Sequence, residues 1–251
     1  MPIAWWGTST EDDERNCMID HRPFSELSGA NMGWLSARHH FPVDGRPDPR
    51  HAPVKALYVW NDDTFAPGTG FPEHPHKNVE IITYVRQGSV SHRDTLGNTY
   101  DIKTGDIQVM STGSGMRHAE FNSSDEPLRI FQMWLAPNQL GGAPAYATRR
   151  FPEVDKANQL VLLASGLEED AKTGALPLRA DARLFAGRLV SGFSLKREIE
   201  AGRDWYLVLS EGKVLVDGVE VSAGDGVAIS KQTSVEIVAV QDAELVVMEL
   251  L

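Results

Sequence analysis

Cysteine is almost missing from this 251-residue chain. Cys17 stands alone, so no intramolecular disulfide can form and no Cys-rich zinc or iron–sulfur site can be built. Any bound metal must be held by nitrogen and oxygen. Long apolar runs are missing too: none approaches the length of a membrane span. The acidic opening MPIAWWGTSTEDDERN has no apolar signal-peptide core, and the expected setting is the cytoplasm. Positive charge is scarce. With a formal net charge of −11 and no Lys/Arg run, the surface repels phosphate backbones, and direct nucleic-acid binding is not expected. Long amphipathic helical patterns are equally scarce, and the best helical segment, Leu167 to Thr173, is short.

What fills the chain instead is short runs rich in Val, Ile, Tyr and Trp, punctuated by Gly, Asn and Asp. VKALYVW, VEIITYV, GDIQVM, LRIFQMWL and QLVLLAS read as strands in the first part, and WYLVLSEGKVLVDGVEV, GVAIS, VEIVAV and AELVVMELL continue the style. Turn signals such as TLGN and VDG join them into hairpins. The fold class is all-β, a sandwich or barrel with few short helices. A faint repeat sharpens this. Gly88-Ser-Val90 leads through a hairpin to Gly105-Asp106-Ile107, and Gly212-Lys-Val214 leads to Gly224-Asp225-Gly226-Val227. Two similar β-barrels in tandem are expected, one over 1–136 and one over 137–251. The Pro/Gly/Ala-rich stretch 136–155 reads as their connection.

The chemistry gathers in the first half. In a strand, residues i and i+2 share a face, so His74 and His76 of GFPEHPHKNVE point together while Pro75 points away. Pro75 has no N–H for a ladder, which suits a strand start or edge. His118 and Glu120 in GMRHAEFN repeat the spacing. Two strands that each deliver such a pair to one interior can close a four-ligand site. The remaining histidines, His21, His39, His40, His51 and His92, read as polar loop or strand residues. The C-terminal half has no histidine; where a matching pair would fall it has Glu198-Ile-Glu200, which reads as solvated charge.

Gly68, then His74-x-His76 and Glu80, resembles the first cupin motif, and Gly105, Gly115-x-x-His118 and Asn122 resemble the second. The match departs from the common pattern at Gly88, one place late, and at Ser111, where a proline is usual. Those departures, with HPHKNVEIITYV, GSVSHRDTLGN and STGSGMRHAE, resemble the pirin branch of the cupins. The resemblance is dense from about residue 54 to 151 and extends over the chain as a bicupin architecture. It implies one metal ion in the N-terminal barrel on His74, His76, His118 and Glu120, and a metal-free C-terminal cupin. Most cupins instead use the glutamate of the first motif, here Glu80, which is the fallback ligand.

Three imidazoles and a carboxylate suit Fe(II), Mn, Ni, Cu or Zn and are a poor choice for Ca. Four protein ligands on an octahedral ion leave two positions for a chelating substrate or for substrate and O2. The resemblance favours iron and a quercetinase-type dioxygenase acting on a flavonol-like aromatic, with Glu120 also the catalytic base. A second reading is a metal- or redox-sensing interaction protein with a protein partner and no turnover, as the resemblance to eukaryotic pirins implies. A cupin isomerase or sugar-binding protein trails, since no segment marks a phosphate or sugar site.

Overall fold

Strands that are apolar on both faces need a cover on each side. The computed structural model of the protein, which describes residues 18–43, 48–151 and 156–251, provides this with four sheets arranged as two pairs. The acidic N-terminal run and Cys17 lie outside the described residues. In the first half, Leu57–Phe65, Glu80–Gln87, Asp106–Ser111 and Leu128–Leu135 belong to a seven-stranded sheet. Gly70–His76, Met116–Asn122, Ser89–Asp94 and Thr99–Lys103 form a four-stranded sheet, in that spatial order. The second half repeats the plan with another seven-stranded and another four-stranded sheet.

Alternation decides what each face meets. On the first large sheet, Ile82, Tyr84, Phe131 and Met133 join Tyr206, Val208, Val246 and Met248 of the second in one buried cluster. The two large sheets therefore pack against each other at the centre of the molecule. Trp60 and Tyr206 meet there with ring centroids 5.6 Å apart, as do Trp60 and Phe131. Truncating an aromatic this deeply buried costs about 3–5 kcal/mol. The intervening residues, Ile81, Val85 and Ile130 among them, turn inward to their own four-stranded sheet. In the second half that interior is largely apolar, with Val214, Val216, Val235 and Ile237 packed on Trp205 and Leu207.

The all-β, paired-barrel expectation matches this architecture, and LRIFQMWL coincides with Leu128–Leu135. Three details differ. The stretch read as a connection contains the strand Ala145–Arg150, which pairs with Asp106–Ser111 at the edge of the first large sheet. Conversely, Met18–Arg22 pairs with Gly226–Ser230 and extends the second. We therefore propose the 1–136 and 137–251 division with these two strands exchanged across it. The helical segment at 167–173 is only a 3-10 turn, Glu168–Asp170. Gly166 and Gly174 bracket it to a length too short for helix propagation. No helix among the described residues is long and apolar enough to cross a membrane.

His40 lies in a bend after the strand Leu35–His39, but it is not a solvent-facing residue. It is fully buried, and its Nδ1 lies 2.9 Å from the Tyr206 hydroxyl. Gly226 leaves room for this pair: a Cβ there would collide with both groups. Burial, reinforced by Arg22, lowers the His40 pKa to about 3. A histidine held neutral in the fold contributes stability above its unfolded pKa near 6.5, and that contribution is lost as pH falls toward 3. His40→Phe is expected to lower the urea midpoint at pH 8, where the hydrogen bond is lost. It should also show a smaller further drop between pH 8 and pH 5 than wild type. Equal pH dependence of the two midpoints would contradict the neutral buried assignment.

Candidate metal centre

Residues directly opposite in an antiparallel pair present their side chains to the same face. In the four-stranded sheet of the first half, His118 stands opposite His74 on one side and Asp94 on the other. Glu120 stands opposite His92, and His76 opposite Met116. The register shifts between His118 and Glu120, where the partner strand bulges at Pro72 and Glu73. A proline fits a bulge because it has no N–H to leave unpaired. The Pro72 carbonyl accepts from His74 Nδ1 at 2.8 Å, which turns Nε2 of that ring toward the interior. Gly70 allows the strands to close here, since a Cβ would collide with the Glu120 carbonyl.

The ligand atoms fall into two overlapping triplets. Those of His74, His76 and His118 lie within 4.8 Å of one another, and so do those of His92, His118 and Glu120. His118 belongs to both. Its two ring nitrogens are buried and have no hydrogen-bond partner, a condition that costs about 1–3 kcal/mol unless something coordinates them. Burial lowers the pKa of His118, and lowers that of His76 to about 4 with the neighbouring His118 and His74 adding to the effect. Both shifts favour the neutral ring, the form that metal ligation requires. The chemistry of the set fits a divalent transition ion.

Glu120 is anchored from the opposite wall. Across the large sheet, Asn61, Gln132, Thr83 and Gln108 stand side by side in register on adjacent strands. Gln108 Nε2 and Thr83 Oγ1 donate to Glu120 Oε1, the latter at 3.3 Å, and Gln132 Nε2 donates to Oε2 at 2.8 Å. Trp134 Nε1 donates to Gln132 Oε1 at 3.1 Å, and Tyr146 Oη to Gln108 Oε1 at 3.0 Å. His92 stacks on Tyr146 at 4.4 Å, and its Nε2 is 3.0 Å from Asp94 Oδ2.

The structure thus brings together His74, His76 and His118 and joins Glu120 to them through His118. Glu80 stands apart. The strand Gly70–His76 ends in a turn through Asn78, at φ 57°, before Glu80 begins a strand of the other sheet. Parity with His76 does not carry across that turn. The Glu80 carboxylate accepts from Ser111 Oγ at 2.7 Å and from the Arg179 amide at 3.0 Å, and burial raises its pKa. Glu198 is exposed, and Glu200 pairs with Arg183 and Arg203 at 3.1 and 3.0 Å. His21 contacts Asp225 and His51 is buried elsewhere. His92, read from the sequence as a polar strand residue, is instead 1% exposed beside Glu120. Its signal was available: His92 and Asp94 repeat the i,i+2 spacing of the other pairs.

A cavity of about 530 Å³ opens beside His74 and His76. Tyr58, Val59, Phe71 and Trp134 supply apolar walls, and Asn61, Asp63 and Gln132 supply its polar atoms. Burial pushes the Asp63 carboxyl up to about 8, with the charges of Asp62 and Glu120 adding to it.

Residues 21–135 match the Pirin family, and residues 162–250 match the Quercetinase C-terminal cupin domain. A pirin-like protein of Caulobacter vibrioides is 47% identical over 92% of this chain and 99% of its own length. The quercetin 2,3-dioxygenase of Escherichia coli K12 is 38% identical over 93% of this chain and 99% of its own. The bacterial pirin YhhW of Escherichia coli, solved in complex with nickel(II), aligns with a TM-score of 0.86 at 36% identity. That alignment covers 93% of this chain and 99% of the other.

We propose that one divalent ion is held by His74, His76, His118 and Glu120. Each of His74→Ala, His76→Ala and His118→Ala is expected to lower metal content, measured by elemental analysis, to well under half of wild type while the far-UV circular dichroism is kept. The double variant Glu198→Gln/Glu200→Gln should retain full stoichiometry. Full metal in all three histidine variants would contradict the site.

Proposed function

Because the chain belongs to the pirin family, we propose that it is a metal-dependent dioxygenase of the quercetin 2,3-dioxygenase type. It opens the ring of a flavonol or similar enolisable aromatic with O2, with loss of carbon monoxide. The observation that most supports this is the cavity itself: mostly apolar, of a size for a three-ring aromatic, with His74 and His76 in one wall. When bound, the ion would supply Lewis-acid chemistry that activates the substrate's neighbouring hydroxyl and carbonyl toward O2. Iron(II) is the first choice, with manganese, nickel, copper and zinc as alternatives.

The chain's own residues do the rest. Trp134 and Tyr58, with rings 6.4 Å apart and nearly perpendicular, help to hold the aromatic and exclude water. Glu120 takes the substrate's hydroxyl proton. Its Oε2 accepts one hydrogen bond, from Gln132, and keeps one lone pair, which serves the ion and, once the carboxylate detaches from it, that proton. Gln132 is fixed in turn by Trp134, so the wall that meets the substrate also orients the base.

Iron-loaded protein is expected to consume O2 and release carbon monoxide in equal amounts when given quercetin, followed with an oxygen electrode and a haemoglobin assay. Glu120→Gln should keep part of its metal, because an amide oxygen still coordinates. Its kcat should fall about 100-fold or more, because an amide takes up no proton near neutral pH. Wild-type protein with full metal and no O2 uptake would instead favour a metal-gated interaction protein.

A further inference from the structure

Asn61 and Asp63 stand two residues apart on the inward face of Leu57–Phe65, and both line the cavity. Asp63 is 2% exposed, and its Oδ1 has no hydrogen-bond partner; Asn61 Oδ1 is buried and likewise unpartnered. The neighbours of Asp63 in register, Ala37 and Ile130, are buried and apolar, so neither supplies a hydrogen bond from its side chain. The adjacent Asp62 points to the other face and is paired with Arg86 at 2.6 Å. One acid of the pair is thus neutralised within the fold, while its neighbour meets the cavity.

Leaving a buried polar oxygen without a partner costs stability, and an apolar residue of similar size removes that cost. A strand shaped only for packing has no use for the carboxyl. We propose that Asp63, assisted by Asn61, is the polar end of the ligand cavity. There it hydrogen-bonds an oxygen substituent of the aromatic ligand other than the hydroxyl and carbonyl that chelate the ion. This rests on the dioxygenase reading and narrows it: the ligand is a polyhydroxylated aromatic, and the chelating hydroxyl and carbonyl alone do not satisfy the site.

The test needs binding and no turnover. Zinc-loaded protein is titrated with quercetin and with 3-hydroxyflavone, which has the chelating edge and no other hydroxyl, and quenching of tryptophan fluorescence gives each Kd. Wild type is expected to prefer quercetin by about tenfold, the equivalent of one good buried hydrogen bond. Asp63→Leu should reduce that preference to within about twofold, weakening quercetin binding more than 3-hydroxyflavone binding, and raise the thermal midpoint, because an unpartnered polar group has been removed. Asp63→Asn, which keeps hydrogen-bonding atoms in place, should retain most of the preference. Wild type that binds neither ligand overturns the dioxygenase reading and this inference with it. Wild type that binds both, with an Asp63→Leu variant of unchanged preference and lowered midpoint, overturns this inference alone and makes Asp63 a structural residue. Should Asp63→Leu fail to fold, Asp63→Ala carries the same comparison of Kd ratios.

Discussion

The large sheet of the N-terminal half is buried on both faces, and strand alternation assigns every second residue to each. That constraint places adjacent residues in different chemical worlds. Tyr84 points into the contact between the two halves, where it bonds Glu244, while Thr83 points into the barrel and bonds Glu120. Asp62 pairs with Arg86, which also reaches Ser210 of the other half at 2.9 Å, while Asp63 meets the cavity. A slip of one residue in register would exchange these sets and put carboxylates and amides between two apolar sheets. The packing of the halves therefore fixes which side chains the candidate site receives.

Within the barrel, hydrogen bonding and charge work together. Glu120 is buried, and three donors on three strands of the facing sheet hold its carboxylate. Burial lowers the pKa of His118 beside it, and His118 has no partner for either nitrogen. A cation among them would satisfy His118 and offset the Glu120 charge at once. Among the described residues, the second barrel has no such cluster. The strand Ser234–Ala239, which holds the same place in its sheet as Met116–Asn122, turns Val235, Ile237 and Ala239 inward. Those residues add core and no ligands.

Much of this was legible in the sequence. Apolar runs bounded by turn residues marked the strands, and the spaced pairs His74/His76 and His118/Glu120 announced a shared face. What was not legible depended on non-local pairing. AYATRR looks like part of a linker because Tyr146 and Thr148 are polar-edged and no apolar run surrounds them. It becomes a strand only by pairing with Asp106–Ser111. Glu80 looked like a plausible neighbour of His76 because strand parity was carried across a turn that changes sheets. His40 looked like an exposed loop residue because nothing local shows that Tyr206, 166 positions away, closes over it. Gln108 and Gln132 sit inside apolar runs, and only the register reveals that they meet one carboxylate.

The central claim is a single ion in the N-terminal barrel with three imidazoles and the Glu120 carboxylate around it. Anomalous diffraction from crystals of metal-loaded protein, recorded at the absorption edge of the loaded metal, tests it most directly. The account predicts one anomalous peak per chain, bonded to His74, His76, His118 and Glu120. A peak coordinated by Glu80 in place of Glu120, or one inside the C-terminal barrel, would contradict it.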